Sequence, residues 1–327
     1  MLKEKILYLL EKQKGELVTG GQLAKELGVS RTAIWKAIRA LQDDGNEILS
    51  VPNSGYRLLD TNDTLFEKMI RENLSTTFIG QEIAILPTVH STNQYLKEMD
   101  TAALPSGYTV IADEQTVGRG RRSRTFLSPK SEGIYLSILL KVDGIQKDIR
   151  LFTICAAVAV SKAVEKVCAI RADIKWVNDI YCNGRKLCGI LTEAVISGEL
   201  QEVSTVTIGI GINTGKVASE VKEIATSVQN ETKKRGLRNQ LVAEVLNQFE
   251  EVYLDYVQRD ATKEIIEYYG SRLFIKDQKV EVVEIKQSYK ATVIGIDKTG
   301  ALIVENEAGE SKHLTTGEIK LVEEGKK

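Results

Sequence analysis

The chain has 327 residues, a length that suits two or three domains with a core each better than a single domain. Its 44 basic and 45 acidic residues give a formal net charge of −1, which excludes binding of nucleic acid or membranes through net charge alone. Only two histidines occur, His90 and His313, so metal sites of clustered imidazoles and most Ser-His or Cys-His catalytic arrangements lack their usual components.

The N-terminus does not look like a signal peptide. Residues 1–10 carry Lys3, Glu4 and Lys5 and lack an apolar core of the required kind. No apolar run in the chain reaches the ~18 residues of a membrane-spanning helix. We therefore expect a soluble cytoplasmic protein without a membrane partner.

Residues 1–60 are predicted to form a winged helix-turn-helix domain. Apolar residues recur at helical spacing over 2–10, a second short helix opens at 19–22 and ends at Gly28, and Ser30 is the predicted N-cap of a third helix. The alternating segments 47–51 and 56–59 on either side of a turn predict the β-hairpin of the wing. The apolar stripe of the third helix consists of Ile34, Ala37, Ile38 and Leu41.

The other face of the third helix is the candidate DNA-binding surface. Its polar and aromatic side chains suit a major groove, although an inert basic helix face is the alternative. The predicted DNA-binding residues are Arg31, Thr32, Trp35, Lys36 and Arg39.

The rest of the chain is predicted to contain a linker and two more domains, which makes a multidomain α+β protein. Residues 61–64 are the linker, and 65–270 form a mixed α/β domain in which strands and helices interleave. We expect its helices at 151–167 and, as a long final helix, before Gly270, and strands at 108–112 and 134–141. In 271–327, short strands at 279–285, 290–296, 301–305 and 318–322 predict a small β-barrel.

The four cysteines are expected to be reduced and buried. They show no C-x-x-C spacing and lie in apolar or strand-like segments, which favours structural thiols over disulfides or a zinc site. They are Cys155, Cys168, Cys182 and Cys188.

The sharpest motif is the loop 115–126, in which four arginines and two glycines fall within the seven residues 118–124. Glycines let backbone amides approach an anion, and guanidinium groups bind phosphate or carboxylate oxygens in pairs. The loop matches neither a Walker loop nor a Rossmann fingerprint. It therefore predicts an anion site, with a solvated basic loop or a nucleic-acid patch as the alternative.

Two further segments place polar residues or glycines in strands. In 174–191 the dipeptide 183–184, Asn-Gly, predicts a tight hairpin turn. Lys175, Asn178, Asp179 and Lys186 of that segment either line a wet cleft or form internal pairs such as Lys175 with Asp179. In 206–213 an apolar strand contains two glycines and ends in Asn, which indicates a ligand close to the backbone.

Five segments in a fixed order resemble one family. They are Ser91-Thr92-Asn93, Gln115 with the Gly-Arg-Gly-Arg-Arg loop, the segments 175–179 and 185–191, and 209–213. Together they are similar to the bacterial biotin protein ligases of the bifunctional type, which also serve as biotin operon repressors. The resemblance covers nearly the whole chain and implies a biotin/lipoate ligase-like central domain and an SH3-like C-terminal barrel.

The resemblance implies a two-step reaction. Biotin, which is both substrate and effector, attacks the α-phosphate of ATP to give biotinyl-5′-AMP and pyrophosphate. A lysine of a biotin carboxyl carrier protein, from acetyl-CoA or pyruvate carboxylase, then takes the biotinyl group. Mg²⁺ accompanies the ATP, and no tightly bound protein metal is implied. Positioning of two anions is the main task, because a carboxylate needs no base to act as a nucleophile.

The resemblance also implies roles for individual residues. Arg121 and Lys186 are the implied charge-stabilising catalytic residues, and Asp179 is the implied acceptor of the lysine proton. The implied biotin-binding residues are Ser91, Thr92, Asn93, Gln115, Gly118, Arg119, Arg121, Lys186, Gly189 and Gly209. The implied ATP-binding residues are Arg121, Arg122, Phe126, Lys175, Asn178, Asp179 and Asn213. Two positions depart from the family pattern, Phe126 where a tryptophan is usual and Val177 where a proline is usual.

The N-terminal domain implies regulation. We expect biotinyl-AMP to order the loop 118–122 and so to favour a homodimer that binds operator DNA. Two alternatives remain open at this point: a ligand-sensing repressor with an inactive enzyme domain, and a lipoate or octanoate ligase.

Overall fold

The N-terminal segment folds as predicted, as three helices followed by a hairpin. In the computed structural model, which describes residues 1–142, 148, 150–197, 202–284 and 287–322, the helices are α1 (Leu2–Lys12), α2 (Gly20–Leu27) and α3 (Arg31–Asp43). The hairpin strands are β1 (Ile48–Val51) and β2 (Gly55–Leu58). This arrangement is a winged helix-turn-helix.

Local capping explains where these helices begin and end. Thr19 accepts a hydrogen bond from the backbone N–H of Gln22 at 3.1 Å, and Ser30 accepts one from Ala33 at 3.2 Å. Gly28, at φ +66°, ends α2 in the left-handed conformation. The predicted stripe of α3 is buried in a core of its own with α1, α2 and the wing.

The segment 60–64 is held by both neighbouring domains. Asn62 is 1 % exposed, and its side chain accepts from the backbone of Glu47 at 2.9 Å and donates to Glu11 at 3.0 Å. On the other side, Asp63 accepts from the backbone N–H of Arg238 at 2.9 Å. The segment is therefore clamped and not a free tether.

The central domain is built on a seven-stranded sheet in the order β3-β4-β5-β9-β8-β7-β6. Among the strands that the structure describes in this sheet, β3 and β4 pair in parallel and the other pairs are antiparallel, so the sheet is mixed; its strands interleave with helices, as predicted. The strands are β3 (Ile83–Leu86), β4 (Thr109–Ala112), β5 (Gly133–Lys141), β6 (Asp173–Lys175), β7 (Asp179–Cys182), β8 (Arg185–Ser197) and β9 (Glu202–Asn213). Asn183 and Gly184, both at positive φ, form the predicted turn between β7 and β8.

Helices cover this sheet. They are α4 (Glu67–Glu72), α5 (Thr92–Glu98), α6 (Arg150–Cys168), α7 (Val228–Thr232), α8 (Arg238–Val257) and α9 (Thr262–Ser271). The apolar helix α6 matches its prediction and packs against α8. The single long helix expected before Gly270 is wrong in extent, because the chain turns at Asp260, at φ +53°, and forms two helices.

The C-terminal segment is a five-stranded antiparallel sheet in the order β13-β12-β11-β10-β14. Its strands are β10 (Lys279–Val283), β11 (Ser288–Ile296), β12 (Leu302–Glu305), β13 (Ser311–Leu314) and β14 (Glu318–Leu321). The pairings between its described residues leave β13 and β14 as end strands. The small antiparallel β-domain is thus confirmed, β13 was not predicted, and position 285 of the first predicted strand lies outside the described residues.

The C-terminal sheet shares its core with the central domain. Buried Val280, Val293 and Leu302 belong to the same apolar cluster as α6 and α8. The Trp176 indole N–H donates to the carbonyl oxygen of Gly300 at 3.0 Å. A Cβ at Gly300 would lie 2.2 Å from Ile154, so this glycine permits the close approach.

The cysteines are free and buried, as predicted. Burial raises the pKa of Cys168 to about 12 and that of Cys182 to about 11, so both thiols stay protonated and unreactive. Within the described ranges, no helix combines the length and the apolar character that crossing a membrane requires.

Candidate active site

A cavity of about 410 Å³ opens between the β8–β9 face of the central sheet, the arginine-rich loop and the edge of the C-terminal sheet. All but one of the predicted ligand-binding residues line it. These are Ser91, Thr92, Asn93, Gln115, Arg119, Arg121, Arg122, Phe126, Lys175, Asn178, Asp179, Lys186, Gly189, Gly209 and Asn213. Residues far apart in the sequence are therefore brought to one site.

Gly118, the remaining predicted residue, is outside the lining and shapes the loop from behind. Its carbonyl accepts from the backbone N–H of Phe126 at 2.9 Å. A Cβ at Gly118 would lie 2.2 Å from the Phe126 carbonyl oxygen. Glycine is therefore required for the loop to fold back on itself.

The Phe126 ring lies on a floor made of glycines. Gly189 of β8 and Gly211 of β9 are paired in register, and a Cβ at Gly211 would lie 2.6 Å from the ring. Any side chain there would push the ring into the cavity. Gly211 was not among the predicted site residues, although the alternating glycines of 206–213 were the signal for it.

Two cations face the cavity without a carboxylate partner. The Arg121 guanidinium donates to the amide oxygen of Asn178 at 3.2 Å, and the Lys175 ammonium lies 3.4 Å from the Tyr181 hydroxyl. Neither side chain forms an ion pair with any residue that the structure describes. Burial lowers the pKa of both groups, since the charged form loses hydration. Such cations favour an anionic ligand.

Lys186 and Asp179 form an ion pair with 2.7 Å between Nζ and Oδ1. In the β7–β8 hairpin Asp179 is paired in register with Gly189 and Lys186 with Tyr181, so the ion pair runs diagonally across the two strands. The alternative pair of Lys175 with Asp179 is therefore wrong, because the carboxylate points to Lys186. Asn178 bonds to Ile190 in both directions, through its side chain at 2.7 Å and its carbonyl at 2.9 Å, and so fixes the start of this hairpin.

The C-terminal sheet contributes a carboxylate that sequence reasoning missed. Glu318 of β14 accepts hydrogen bonds from Arg122, at 3.3 Å, and from Arg124. The hydrogen bond from Arg124 holds the pKa of Glu318 below its ordinary value. The residues in this contact are almost 200 positions apart in the sequence, so no local pattern could predict it.

Neutral polar groups line the other end of the cavity. The backbone N–H of Thr92, at the start of α5, donates to the Gln115 side-chain oxygen at 2.9 Å. Asn93 occupies the space above Gly209, where a Cβ would lie 2.3 Å from its amide oxygen. No sequence pattern pointed to Ser128, Ser137 and Glu193, which bond to these side chains.

The segment 214–226 forms a rim beside Lys186. The backbone N–H of Lys186 donates to the Ile224 carbonyl at 2.9 Å, and Thr226 donates back to Lys186 at 2.8 Å. Asn213 holds the base of the rim by donating to the Thr226 carbonyl at 3.0 Å. The Ile224 side chain is 69 % exposed beside the cavity mouth, so the rim offers apolar surface to a bound ligand.

The candidate DNA-binding residues share one exposed face of α3. Arg31, Thr32, Trp35, Lys36 and Arg39 are all exposed. The Arg39 guanidinium lies 5.7 Å from the centroid of the Trp35 ring, within cation–π range.

Three family models match consecutive parts of the chain. Residues 3–57 match a model described as an HTH domain, 85–213 match the biotin/lipoate A/B protein ligase family, and 277–322 match the biotin protein ligase C-terminal domain. The cavity combines residues from the second and third of these regions.

Curated relatives match nearly end to end. The bifunctional ligase/repressor BirA of Bacillus spizizenii is 35 % identical over 95 % of this chain and 96 % of its own length. The bifunctional ligase/repressor BirA of Escherichia coli is 31 % identical over 97 % of this chain and 96 % of its own. Among solved structures, the biotin protein ligase from Aquifex aeolicus in complex with biotin and ATP superposes with a TM-score of 0.65 at 27 % identity, covering 74 % of this chain and 99 % of that one.

Proposed function

The chain belongs to the family of bifunctional biotin protein ligases and repressors, and from this premise we infer a specific division of labour within its site. The chain is a biotin protein ligase that forms biotinyl-5′-AMP from biotin and ATP and passes biotin to a lysine of a carrier protein. Its helix-turn-helix makes it a repressor as well. These tasks fall to different residues of the molecule.

One observation carries the assignment: the two ends of the cavity differ in charge. Arg121 and Lys175, without carboxylate partners among the described residues, stand at one end, and neutral hydroxyl and amide groups stand at the other. Biotin has a neutral ureido ring and a carboxylate, and ATP adds a triphosphate. We place the ring at the neutral end and the reacting anions at the cationic end.

In the first step, a biotin carboxylate oxygen forms a bond to the α-phosphorus and the bond to the pyrophosphate oxygen breaks. We assign to Arg121 the stabilisation of the charge on the α-phosphate oxygens, because its guanidinium is fixed by Asn178 and is partly desolvated. Lys175 and Lys186 supply further positive charge. Phe126, on its glycine floor, is placed to stack on the bound adenylate.

In the second step, the carrier lysine amine attacks the acyl carbon and AMP leaves. The amine must lose a proton, and Asp179 is our candidate for its acceptor. The Asp179 carboxylate is paired to Lys186 at 2.7 Å. In this pair Asp179 would receive the proton, while Lys186 stays positively charged and faces the phosphate.

Magnesium enters with the ATP in this proposal. Within the described residues, no three His, Cys, Asp or Glu side chains group in a way that would hold a metal. Mg²⁺ commonly keeps its waters and binds substrate phosphates with one or two carboxylates. We therefore assign Mg²⁺ to the substrate complex.

For the regulatory half, we propose that the exposed face of α3 enters the major groove of operator DNA, which places the protein in the cytoplasm. A biotinyl-AMP-promoted homodimer would double the contacts on a palindromic site. The proposed carrier partner is the biotin carboxyl carrier protein of acetyl-CoA or pyruvate carboxylase.

The test is biotin-dependent exchange between ATP and labelled pyrophosphate by the purified chain, with lipoate and octanoate as parallel substrates. We expect exchange with biotin alone. Exchange only with the other acids would reassign the substrate, and no exchange with any acid would point to a ligand-sensing repressor without catalysis.

A further inference from the structure

Two hydrogen-bond acceptors face each other at the neutral end of the cavity. The Thr92 hydroxyl oxygen and the Gln115 side-chain oxygen are 3.2 Å apart, and both residues line the cavity. The Thr92 hydroxyl can donate its single proton either to the Gln115 oxygen or to the Ser137 hydroxyl oxygen, which is 2.6 Å away. The neighbouring contacts decide this.

The first chain of contacts begins at Glu193. An ionised carboxylate only accepts, and Lys97 holds it at 2.5 Å. The Asn93 amide nitrogen therefore donates to Glu193, at 2.7 Å, and to the Leu191 carbonyl, at 3.2 Å. This fixes the Asn93 amide with its oxygen towards Ser137.

The orientation of the Asn93 amide determines which way the hydrogen bond between Ser137 and Thr92 runs. The Ser137 hydroxyl is 2.6 Å from both the Asn93 amide oxygen and the Thr92 hydroxyl oxygen. The amide oxygen has no proton to give, so the single Ser137 proton goes to Asn93. The other 2.6 Å contact then needs the Thr92 proton, which is thereby taken away from Gln115.

A second chain fixes Gln115 from the opposite side. The Ser128 hydroxyl donates to the Phe126 carbonyl at 3.0 Å and so accepts from the Gln115 amide nitrogen at 2.9 Å. The Gln115 oxygen is thus turned towards Thr92, whose backbone N–H it accepts at 2.9 Å. Both chains end in groups that can only accept.

We propose that these two chains make Ser137, Ser128 and Glu193 positioning residues that set the ligand preference of this end of the cavity. They leave the Thr92 and Gln115 oxygens as an acceptor pair without a proton between them, and a ligand N–H placed there satisfies both. A ligand that offers a carbonyl, an ether or an N-methyl group at this point leaves the pair unsatisfied, which costs free energy.

The inference rests on the proposed function, since the biotin ureido ring supplies the N–H. Burial supports it: Ser137 is 0 % exposed in β5, opposite Gly209 of β9, so water cannot substitute for its hydrogen bonds. At the more open Glu193 end, the Leu191 carbonyl also holds the Asn93 amide, so the decisive substitutions are made at Ser137.

Three substitutions test the direction of the chains. Ser137→Ala returns the Thr92 proton to Gln115. Ser137→Cys acts in the same direction more weakly, because a thiol is a poor acceptor for the Thr92 proton. Ser161→Ala is the matched control: Ser161 is also 0 % exposed and donates to the Ala172 carbonyl at 2.6 Å, away from the site.

The measurement is the dissociation constant of biotin and of its two mono-N-methyl ureido analogues, by calorimetry on the full chain, with thermal unfolding of each variant. For the isomer that wild type rejects more strongly, we expect the analogue-to-biotin ratio of dissociation constants to fall about threefold to tenfold in Ser137→Ala, to fall less in Ser137→Cys and to stay unchanged in Ser161→Ala. A purely structural role would weaken both ligands equally and leave the ratio alone.

Folded Ser137→Ala and Ser137→Cys variants with the wild-type ratio would overturn the inference. If Ser137→Ala fails to fold, the Ser137→Cys ratio decides. Wild-type protein that is folded but binds no biotin would instead refute the proposed function, which is a separate and visible result.

Discussion

At the scale of single residues, the site depends on cations that form no ion pair within the described residues. Arg121 and Lys175 lose hydration on burial, and the nearby Asp179 carboxylate offsets only part of that loss because it is paired with Lys186. A direct carboxylate partner would stabilise either cation further, so leaving them unpaired lowers the stability of the free protein and favours anion binding. Replacing either cation should therefore change catalysis or nucleotide binding in a way specific to its charge.

Replacing the Arg121 side chain should slow adenylation. Arg121→Ala removes a positioned donor, and we expect biotin-dependent pyrophosphate exchange to fall by roughly 10²- to 10³-fold. Arg259→Ala is the control, because Arg259 lies just beyond the end of α8, is 60 % exposed and pairs with Asp255, away from the cavity. An Arg121→Ala enzyme with the wild-type exchange rate would remove Arg121 from the mechanism.

The affinity for ATP should depend on pH through Lys175. Its pKa lies below the ordinary 10.5, so the ammonium that binds phosphate is present below the lowered pKa and is lost as the pH rises through it. We expect the KM for ATP to rise at a pH below 10.5, and this rise to vanish in Lys175→Arg, which stays charged. The same rise in both proteins would assign the titration to another group.

At this scale the sequence identified the charged residues of the site, but not the residues that hold the site side chains in place through hydrogen bonds. The glycines and arginines of 118–124 form a local pattern, and every one of these arginines lies at the cavity. Ser137, Ser128 and Glu193 sit in ordinary strand or loop sequence, and their importance comes from partners 13 to 100 residues away. Hydrogen-bond direction is a property of the assembled network, which no single segment encodes.

At the scale of elements, the sequence predicted an element correctly where residues of its own segment determine where it begins and ends. Helix α3 begins directly after its predicted N-cap Ser30, and α2 begins at Gly20, within the predicted start 19–22, since capping is a contact between residues two or three apart. Strand β13 was missed because Ser311–Leu314 has one buried apolar residue and exists through its pairing with β12. Elements that depend on a neighbour cannot be identified from their own residues.

The arginine-rich loop is tied to β14 through Glu318, and cutting this tie should loosen it. In Glu318→Gln the ion pairs with Arg122 and Arg124 are lost. We expect limited trypsin digestion of the ligand-free protein to cleave after these arginines about threefold faster, since surface ion pairs contribute up to about 1 kcal/mol. The products are identified by mass.

The matched control is Glu281→Gln, which removes the contact of Glu281 with Lys320 in the same sheet and leaves the loop untouched. Equal cleavage of wild type and both variants would show that Glu318 does not restrain the loop. Saturating biotin and ATP should slow cleavage in all three proteins if the loop closes over the adenylate.

At the scale of the whole molecule, the DNA-binding domain is attached to the ligase by a buried clamp. Asn62 joins Glu11 and Glu47 on one side, and Asp63 meets Arg238 on the other. Arg238 is 0 % exposed and also donates to Asp113 at 2.8 Å, two residues before Gln115 of the cavity. One buried arginine therefore touches both the end of a site strand and the interdomain segment.

Removing the Asn62 side chain should loosen the two domains. Asn62→Ala leaves the half-buried Glu47 N–H without its acceptor and leaves the buried Glu11 carboxylate with Lys14 alone, which costs about 1–3 kcal/mol. We expect a lower melting temperature for the N-terminal domain, with an unfolding transition separate from that of the ligase, by differential scanning calorimetry. Asn73→Ala, at an exposed asparagine that bonds to its own helix at 2.7 Å, is the control. A single unshifted transition in Asn62→Ala would contradict the clamp.

Because the central and C-terminal sheets share one core, the chain can be divided into independently folding parts at some positions and not at others. The N-terminal domain has a core of its own and meets the rest through the segment 60–64 and a small contact of α1 with α4, such as Lys12 with Glu72, so it can be gained or deleted as a module. A cut near residue 271 would instead split one apolar interior and expose Val280, Val293 and their neighbours to water. Recombination can therefore separate regulation from catalysis in this molecule, but it cannot separate catalysis from the C-terminal sheet.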